Sequence, residues 1–173
     1  MADAAISMPK VVQFKGNMAI QKSVQSDGGN TFLARSLVKM SAGLLAKVAT
    51  ADILVFGLSP DANHLTTDQP PVAFNGQNHW PLDILDAILE INVTNGTGAI
   101  GVAGSAPQGT ALTLGSQYGI YTGTAGAING IQFINSADTT NKIFQVVGFS
   151  ESGTSADYNA RVLVKVVPST VQA

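Results

Sequence analysis

The stretch SLVKMSAGLLAKVATADILVFGLS, residues 36–59, decides the predicted fold. It contains three short apolar runs, at residues 37–40, 44–48 and 53–58, and each run includes a β-branched Val or Ile. Ser-Ala-Gly separates the first two runs, and Ala-Thr-Ala-Asp separates the second from the third. Short runs of this length between small, turn-forming residues predict three strands in a tight β-meander.

An α-helix is the competing interpretation, because five apolar side chains of this region also recur at helical spacing. They are Leu33, Leu37, Met40, Leu44 and Val48. Gly43 would lie in the middle of that helix, and Thr50 and Asp52 interrupt its continuation. The downstream sequence is also rich in strand-forming segments, so we expect strands.

The downstream segments predict a mainly β domain. Turn residues recur every eight to twelve positions, which is typical of a β-sandwich or β-barrel. Pro81 favours a short helical turn that runs into a strand at residues 88–93. Further strands are expected at residues 111–114, 118–122, 131–134, 143–149 and 162–167.

The closing strand alternates in character, which predicts how its two faces are used. Val162, Val164 and Val166 share one face and are expected in the core. The other face carries Arg161, Leu163 and Lys165, which we expect in solvent or at an interface.

The chain is weakly charged for its size. Its 173 residues suffice for one sizeable core. Charged residues make up 12%, about half of the roughly 25% that is typical. The absence of cysteine excludes disulfides and thiolate metal sites.

We expect one unit in which residues 1–30 form an extended N-terminal arm and residues 31–173 form the β-rich domain.

Charge and hydropathy argue against two classes of partner. No Lys or Arg occurs between Lys47 and Lys142, so the long middle cannot supply the cations that nucleic-acid binding needs. No apolar run approaches the roughly 20 residues of a membrane span. The start MADAAISMPKVVQFKG lacks the basic start and apolar core of a signal peptide. We expect a soluble protein made in a cytoplasm, with neither nucleic acid nor membrane as partner.

The N-terminal arm is the first candidate for a partner contact. An extended segment can add a strand to the sheet edge of a neighbour. The candidate residues are Lys10, Val11, Val12, Phe14, Lys15, Met18, Ile20 and Lys22. The alternative, of equal weight, is that residues 11–14 and 18–24 pair within the sheet of their own domain. The polar connection at residues 59–78 is the second candidate.

The motifs that suggest catalysis or cofactor binding are each better explained by a structural role in a turn or loop. Residues 96–101 read G-x-G-x-x-G, but the sequel contains Gly and Pro and will not form the required helix. His64 and His79 match no compact metal-ligand spacing, and we expect them to make ordinary hydrogen bonds in a loop. Ser150 fails G-x-S-x-G, and a hairpin loop explains its segment.

Three carboxylates could share a helical face, namely Asp83, Asp86 and Glu90. A glycosidase pair would need aromatic sugar platforms across a cleft, and aromatic residues are only 6% of the chain. We expect a solvated face at these positions. Together the motifs predict no catalytic residue, no metal and no cofactor.

The meander and the end of the chain resemble the capsid decoration proteins of tailed bacteriophages, also called cement or head-stabilising proteins. The similar segments are LVKMSAGLLAKVATADILVFGL in the meander, and NKIFQVVGFS and NARVLVKVV near the end. The resemblance implies a non-enzymatic protein made in the bacterial host cytoplasm. It also implies that the protein binds the outer surface of the expanded virion head, often as a homotrimer, and clamps neighbouring major capsid proteins.

A different class of function stays open. A head-fibre or adhesin-type β-module would bind carbohydrate on the host surface through exposed aromatic side chains. Trp80, Tyr118 and Tyr121 are the candidates for that role.

Overall fold

A computed structural model describes residues 8–14, 24–26, 32–60, 78–96, 111–124, 128–150 and 160–172. Within these residues the chain is mainly β, as predicted, with eleven strands, and a 3-10 turn lies at Pro168–Thr170. The strands are β1 Lys10–Phe14, β2 Val24–Gln25, β3 Leu37–Ser41, β4 Leu44–Lys47, β5 Gly57–Leu58, β6 Asn78–His79, β7 Ala87–Thr94, β8 Gln117–Thr122, β9 Gln132–Asn135, β10 Phe144–Phe149 and β11 Arg161–Val166. The described residues contain no helix long and apolar enough to cross a membrane.

Five strands close into a β-barrel. The large sheet has the order β1-β7-β11-β10-β8-β9, and β9 pairs back onto β7. This last pairing is parallel and joins Val93 to Ile134 and Thr94 to Asn135. The strand β1 stays outside the closed ring and pairs with β7 in the antiparallel sense. The barrel-like domain expected from the sequence is therefore confirmed.

The barrel core is built by period-2 alternation along its strands. In β11 the side chains of Val162, Val164 and Val166 are buried in the core cluster, as the sequence predicted. Leu163 and Arg161 on the opposite face are half-buried, and Lys165 is exposed. Each fully buried Val contributes roughly 1.5–3 kcal/mol of stability by leaving water.

The stretch at residues 36–59 forms strands, so the helical alternative is wrong. The three strands make a separate sheet with the order β4-β3-β5. A meander would place β4 in the centre, so the expected order is also wrong. The chain leaves β4 in a turn that Asp52 closes by accepting the Ala49 N–H at 2.6 Å. It then returns along the far side of β3, where the Phe56 N–H donates to the Val38 carbonyl at 2.7 Å.

The hairpin between β3 and β4 turns through two left-handed residues. Ala42 has a φ of 50° and Gly43 a φ of 81°, the signs that a type I′ turn requires at its two central positions. This turn matches the twist of the flanking strands. The non-glycine residue Ala42 accepts the left-handed conformation at a cost of about 1 kcal/mol.

One buried glutamine of the barrel holds the β4-β3-β5 sheet in place. The Leu37 N–H donates to Gln132 Oε1 at 2.6 Å. Gln132 Nε2 donates to the carbonyls of Leu37 and Val48, both at 2.9 Å. The Thr122 hydroxyl adds a bond to the Val48 carbonyl at 2.8 Å. The two sheets are thus connected through side-chain amide and hydroxyl groups of β9 and β8.

A second glutamine, Gln172, adds hydrogen bonds along the side of β3 that pairs with β5. Gln172 Oε1 accepts the Met40 N–H at 2.7 Å, and the Gln172 N–H donates to the Val55 carbonyl at 2.8 Å. The Val55 N–H in turn donates to the Thr170 carbonyl at 2.8 Å. The segment after the 3-10 turn therefore closes the edge of this sheet that the short strand β5 leaves open.

The first strands lie in sheets of this chain. In β1, Lys10 pairs with Glu90 and Phe14 with Ala87, which confirms the alternative that residues 11–14 pair within their own domain. In β2, Val24 pairs with His79. Residues 15–23, which carry the rest of the predicted arm contacts, lie outside the described residues.

Two expected elements differ from the structure. Residues 111–114 form no strand, because the Thr113 N–H donates to the Tyr118 hydroxyl at 3.0 Å and the chain turns. The helical turn expected before β7 is a β-turn, closed by the Ala87 N–H and the Ile84 carbonyl at 3.1 Å. The Asp83 carboxylate accepts a hydrogen bond from the Leu85 N–H at 2.9 Å and stabilises that turn. The strands expected at residues 88–93, 118–122, 131–134, 143–149 and 162–167 are confirmed with small shifts in their ends.

Candidate partner-binding surface

The outer face of β1, β7 and β11 gathers charged and apolar side chains on one surface. The strand register places Lys10, Glu90 and Leu163 in one row across the three strands. The neighbouring positions of the same parity complete the surface, which we call the β1-β7-β11 face. Its members are Lys10, Ile88, Glu90, Arg161, Leu163 and Lys165.

An ion pair lies at the centre of this face. Arg161 Nη1 lies 3.1 Å from Glu90 Oε2, and the two side chains are 15% and 6% exposed. The Ser150 hydroxyl donates to the other oxygen of the same carboxylate. Because both groups are largely removed from water, loss of either partner would leave a buried charge. The pair therefore fixes β11 against β7 below the surface.

Two further cations of the face are exposed. Lys10 and Lys165 lie on the strands that flank β7, one on each side. The strands β1, β7 and β11 carry three cations against the single carboxylate of Glu90. The face is therefore locally positive in a chain whose net charge is -2, and this favours an acidic partner.

Apolar side chains are interleaved with these charges. Ile88 and Leu163 are half-buried, and Val12 at the edge is 41% exposed. Leu163 packs over Gly148 of β10, where an added Cβ would lie 3.4 Å from Leu163 Cδ1. The face thus combines exposed charges with half-buried apolar side chains, a composition typical of the rim of a protein–protein interface.

The strand β1 also presents an edge. Among the described strands it pairs only with β7, and its register shifts between Val11 and Gln13 at a β-bulge. Bulges and charged residues are the features that protect an exposed sheet edge from non-specific pairing. An edge of this kind admits a partner strand only where the partner matches its irregular register.

Four of the predicted contact residues lie on β1, and the structure gives them different roles. Lys10 and Val12 are exposed, whereas Val11 packs against the barrel core. Phe14 ends the strand opposite Ala87. The remaining four candidates, Lys15, Met18, Ile20 and Lys22, lie outside the described residues, as do residues 61–77 of the second candidate loop.

The histidines and the three carboxylates are not assembled into a catalytic or metal site in the described residues. His79 is a β6 residue, 1% exposed, and packs edge-on against Phe32 with ring centroids 5.1 Å apart, so the expectation of a loop histidine is wrong. His64 lies outside the described residues. Glu90 is buried in its ion pair with Arg161, which contradicts the expected solvated face, because the pairing of β11 with β7 brings Arg161 against this carboxylate. No group of three or more metal-ligating side chains occurs in the described ranges.

The glycine-rich motif can be followed only at its first residue. Gly96 directly follows β7 and has a φ of +80°, which favours glycine. An added Cβ there would lie 2.8 Å from Asn135 Nδ2, so the side-chain amide of Asn135 would have to shift to admit a side chain. Residues 97–101 lie outside the described residues, and the turn interpretation of the motif stays a prediction.

Asp138 orders the loop between β9 and β10. Its carboxylate accepts the N–H groups of Thr140 and Asn141 at 3.0 and 2.9 Å and the Asn141 side-chain amide at 3.1 Å. Burial raises the pKa of this carboxyl, but the bonds from Asn141 and Thr140 outweigh it and leave the pKa below its ordinary value. An open depression of about 340 Å³ beside this loop is lined by Ser116, Gln117, Tyr118, Thr139 and Lys142.

Sequence reasoning missed the ion pair, although a signal for it was present. In residues 87–94 the apolar Leu89, Ile91 and Val93 alternate with Glu90 and Asn92. Because alternate residues of a strand share a face, Glu90 lies on the same face of the sheet as Arg161 of β11.

Comparison with protein-family models, with curated proteins and with solved structures gives no match for this chain. No relative therefore indicates what the β1-β7-β11 face binds, and its partner is inferred from the charge and exposure of its own side chains.

Proposed function

We propose that the chain is a non-enzymatic capsid decoration protein that binds the outer surface of an expanded tailed-phage head. In this role each copy contacts neighbouring major capsid proteins and clamps them together. The proposal rests on the sequence resemblance in the meander and the closing strands. It is supported by one structural observation, the locally positive β1-β7-β11 face with an adjoining strand edge.

The physical properties of this face suit a clamp that acts through many copies. A cement protein needs only modest affinity per contact, because each copy bridges several subunits and the contacts multiply over the shell. Exposed Lys10 and Lys165 would each contribute a fraction of a kcal/mol to about 1 kcal/mol with an acidic partner. Binding that is selective for the expanded lattice stabilises that lattice by mass action.

The β1 edge gives the same partner a second kind of contact. Main-chain hydrogen bonds along an edge strand provide affinity, and the flanking side chains select the partner. Val12 at the bulge is an exposed apolar residue two positions after Lys10. In this proposal the major capsid protein contributes an acidic, extended segment that lies along β1.

Co-sedimentation with empty expanded heads tests the proposal. Saturable pelleting at a fixed ratio to the capsid protein is expected, and binding should weaken as salt rises because the contact is electrostatic. No pelleting with heads that are verified as unoccupied would refute it. The homotrimer that the resemblance implies is measured independently by light scattering of the free protein.

Point variants locate the contact better than a deletion of the arm. Removing residues 1–30 would also remove β1 and uncover the edge of β7, so loss of binding would not be specific. Lys165→Glu should weaken head binding about three- to tenfold, because it replaces an attraction by a repulsion. Lys142→Glu makes the same change in net charge in the β9-β10 loop and serves as the matched control. Equal binding by the two variants would exclude the β1-β7-β11 face.

A further inference from the structure

The chain's only tryptophan directly follows the two-stranded ribbon of β2 and β6. Trp80 is 51% exposed and directly follows β6. Along this segment Asn78 is exposed, His79 is buried and Trp80 is exposed. This alternation puts Asn78 and Trp80 on the same side. Gln25 of β2 pairs with Asn78 and is also exposed, so the three side chains share the outside of the ribbon. We call them the Gln25-Asn78-Trp80 face.

The ribbon that carries this face is fixed on its inner side. His79 packs edge-on against Phe32 with ring centroids 5.1 Å apart, and Val24, its cross-strand partner, is buried. Immediately after Trp80, Leu82 and Leu58 exchange two backbone hydrogen bonds of 3.0 and 2.8 Å. Exposed side chains on a strand that is held in this way lose little conformational freedom when a ligand binds.

The chemistry of the face matches a neutral sugar. An exposed indole ring offers a flat apolar surface with a polar edge. The carboxamides of Gln25 and Asn78 each supply one acceptor oxygen and two donor hydrogens, the complement of neighbouring sugar hydroxyls. A flat apolar group beside a few convergent polar groups is the usual composition of a small-ligand site.

The absence of charge narrows the ligand class. The described residues of this ribbon, 24–26 and 78–82, contain no Asp, Glu, Lys or Arg, so they supply no counter-charge for a phosphate, sulfate or carboxylate. Trp80 is also the only large exposed hydrophobic residue that the structure describes on this ribbon. A protein interface would instead be expected to surround such an anchor with further apolar area.

We propose that the Gln25-Asn78-Trp80 face binds neutral saccharides. The sugar ring stacks on Trp80, and its hydroxyls exchange hydrogen bonds with the two carboxamides. This activity is separate from capsid binding and would let a particle-bound copy hold a glycan at a surface. It uses none of the residues that the proposed capsid contact uses.

Because Trp80 is the only tryptophan, its fluorescence reports directly on this face. The full-length protein is titrated with maltotriose, cellotriose, mannotriose and chitotriose, and with sialyllactose as an anionic probe. At least one neutral trisaccharide should shift the emission saturably, with a dissociation constant of about 0.1–10 mM for so small a contact. Sialyllactose should bind no more tightly than its neutral counterpart, lactose.

Two variants retain the fluorophore and test the polar contacts. Asn78→Ala and Gln25→Ala should each weaken binding about three- to tenfold, the effect of one or two lost hydrogen bonds. Asn129→Ala removes an exposed asparagine in the turn before β9 and should change nothing. The far-UV circular dichroism of each variant verifies its fold.

Three results would overturn the saccharide proposal. They are no emission change with any neutral trisaccharide at about 50 mM, binding of sialyllactose alone, and unchanged affinity in both folded amide variants. None of these results bears on capsid binding, which is measured by pelleting and uses another face. The two proposals can therefore fail independently.

Discussion

Replacement of Gln132 by methionine should separate the contribution of one buried amide from that of the side chain around it. Methionine has a similar length and flexibility but no hydrogen-bonding amide. Gln132 is fully buried and makes three hydrogen bonds to the backbone of the β4-β3-β5 sheet, at 2.6, 2.9 and 2.9 Å. The substitution removes all three and preserves most of the packing.

The magnitude follows from what each partner retains. The Leu37 carbonyl still accepts the Val48 N–H at 3.0 Å, and the Val48 carbonyl still accepts the Thr122 hydroxyl at 2.8 Å. The Leu37 N–H, however, loses Gln132 Oε1, and Leu37 is fully buried. A buried donor without an acceptor costs about 1–3 kcal/mol, and each other lost bond about 0.5–1.5 kcal/mol. We expect a loss of about 3 kcal/mol, or about 6–12 °C in Tm for a chain of this size.

Urea unfolding measures this loss, with far-UV circular dichroism and Trp80 fluorescence as two probes. Gln145→Met is the matched control, because its amide makes a single exposed bond, to the Gly115 carbonyl at 3.0 Å. The control should lose less than about 1 kcal/mol. If Gln132→Met and Gln145→Met differ by less than about 0.5 kcal/mol, the amide does not join the two sheets and the reasoning fails. Separate midpoints for the two probes would show that the segment around Trp80 unfolds apart from the rest of the protein.

Further predictions concern the β3-β4 turn, the Asp138 loop and the ion pair. Ala42→Asn should stabilise the protein by about 0.5–1 kcal/mol because Asn tolerates a positive φ, and Gly43→Ala should destabilise it by about 1 kcal/mol, both measured by urea unfolding. Asp138→Asn should lower Tm at pH 7, and its difference from the unmodified protein should shrink as the pH falls towards 3. The reason is that a carboxyl with a lowered pKa stabilises the fold above its unfolded pKa and loses that contribution as the pH falls through its folded value; a constant difference in scanning calorimetry would contradict this. Arg161→Met should cost about 3–5 kcal/mol by leaving the Glu90 carboxylate buried, and adding Glu90→Leu should recover part of that loss in the same urea assay.

Local pattern was sufficient to predict most strands, because the period-2 alternation of β7 and β11 is a property of the chain itself. The partners of those strands were not predictable in the same way. The pairing of β5 with β3 depends on how the turn at Asp52 directs the chain, and the pairing of β1 with β7 depends on a register between distant segments. The local sequence around Gln132 does not show whether its side chain is buried and bonded to another sheet or exposed on a strand.

The candidate surface was predicted only in part, for a related reason. Lys10 and Val12 were selected from the arm, and both are exposed. Glu90 was expected on a solvated face, and that expectation was wrong because the carboxylate is buried against a neighbouring strand. Its partner Arg161 lies far along the chain, so only the three-dimensional pairing of β7 with β11 brings the two charges together.

The position of β7 has a consequence for how the protein is made. β7 contacts β11 along one edge, while β1 and β9 share the other edge. Its neighbours come from residues 10–14, 132–135 and 161–166, so a ribosome must add residues 161–166 before the ring can close. Until then the apolar side chains of β7 remain open to other nascent chains, and contacts of such long sequence separation form slowly. Yield of the folded protein should therefore respond to growth temperature and chaperone supply more than its equilibrium stability would suggest.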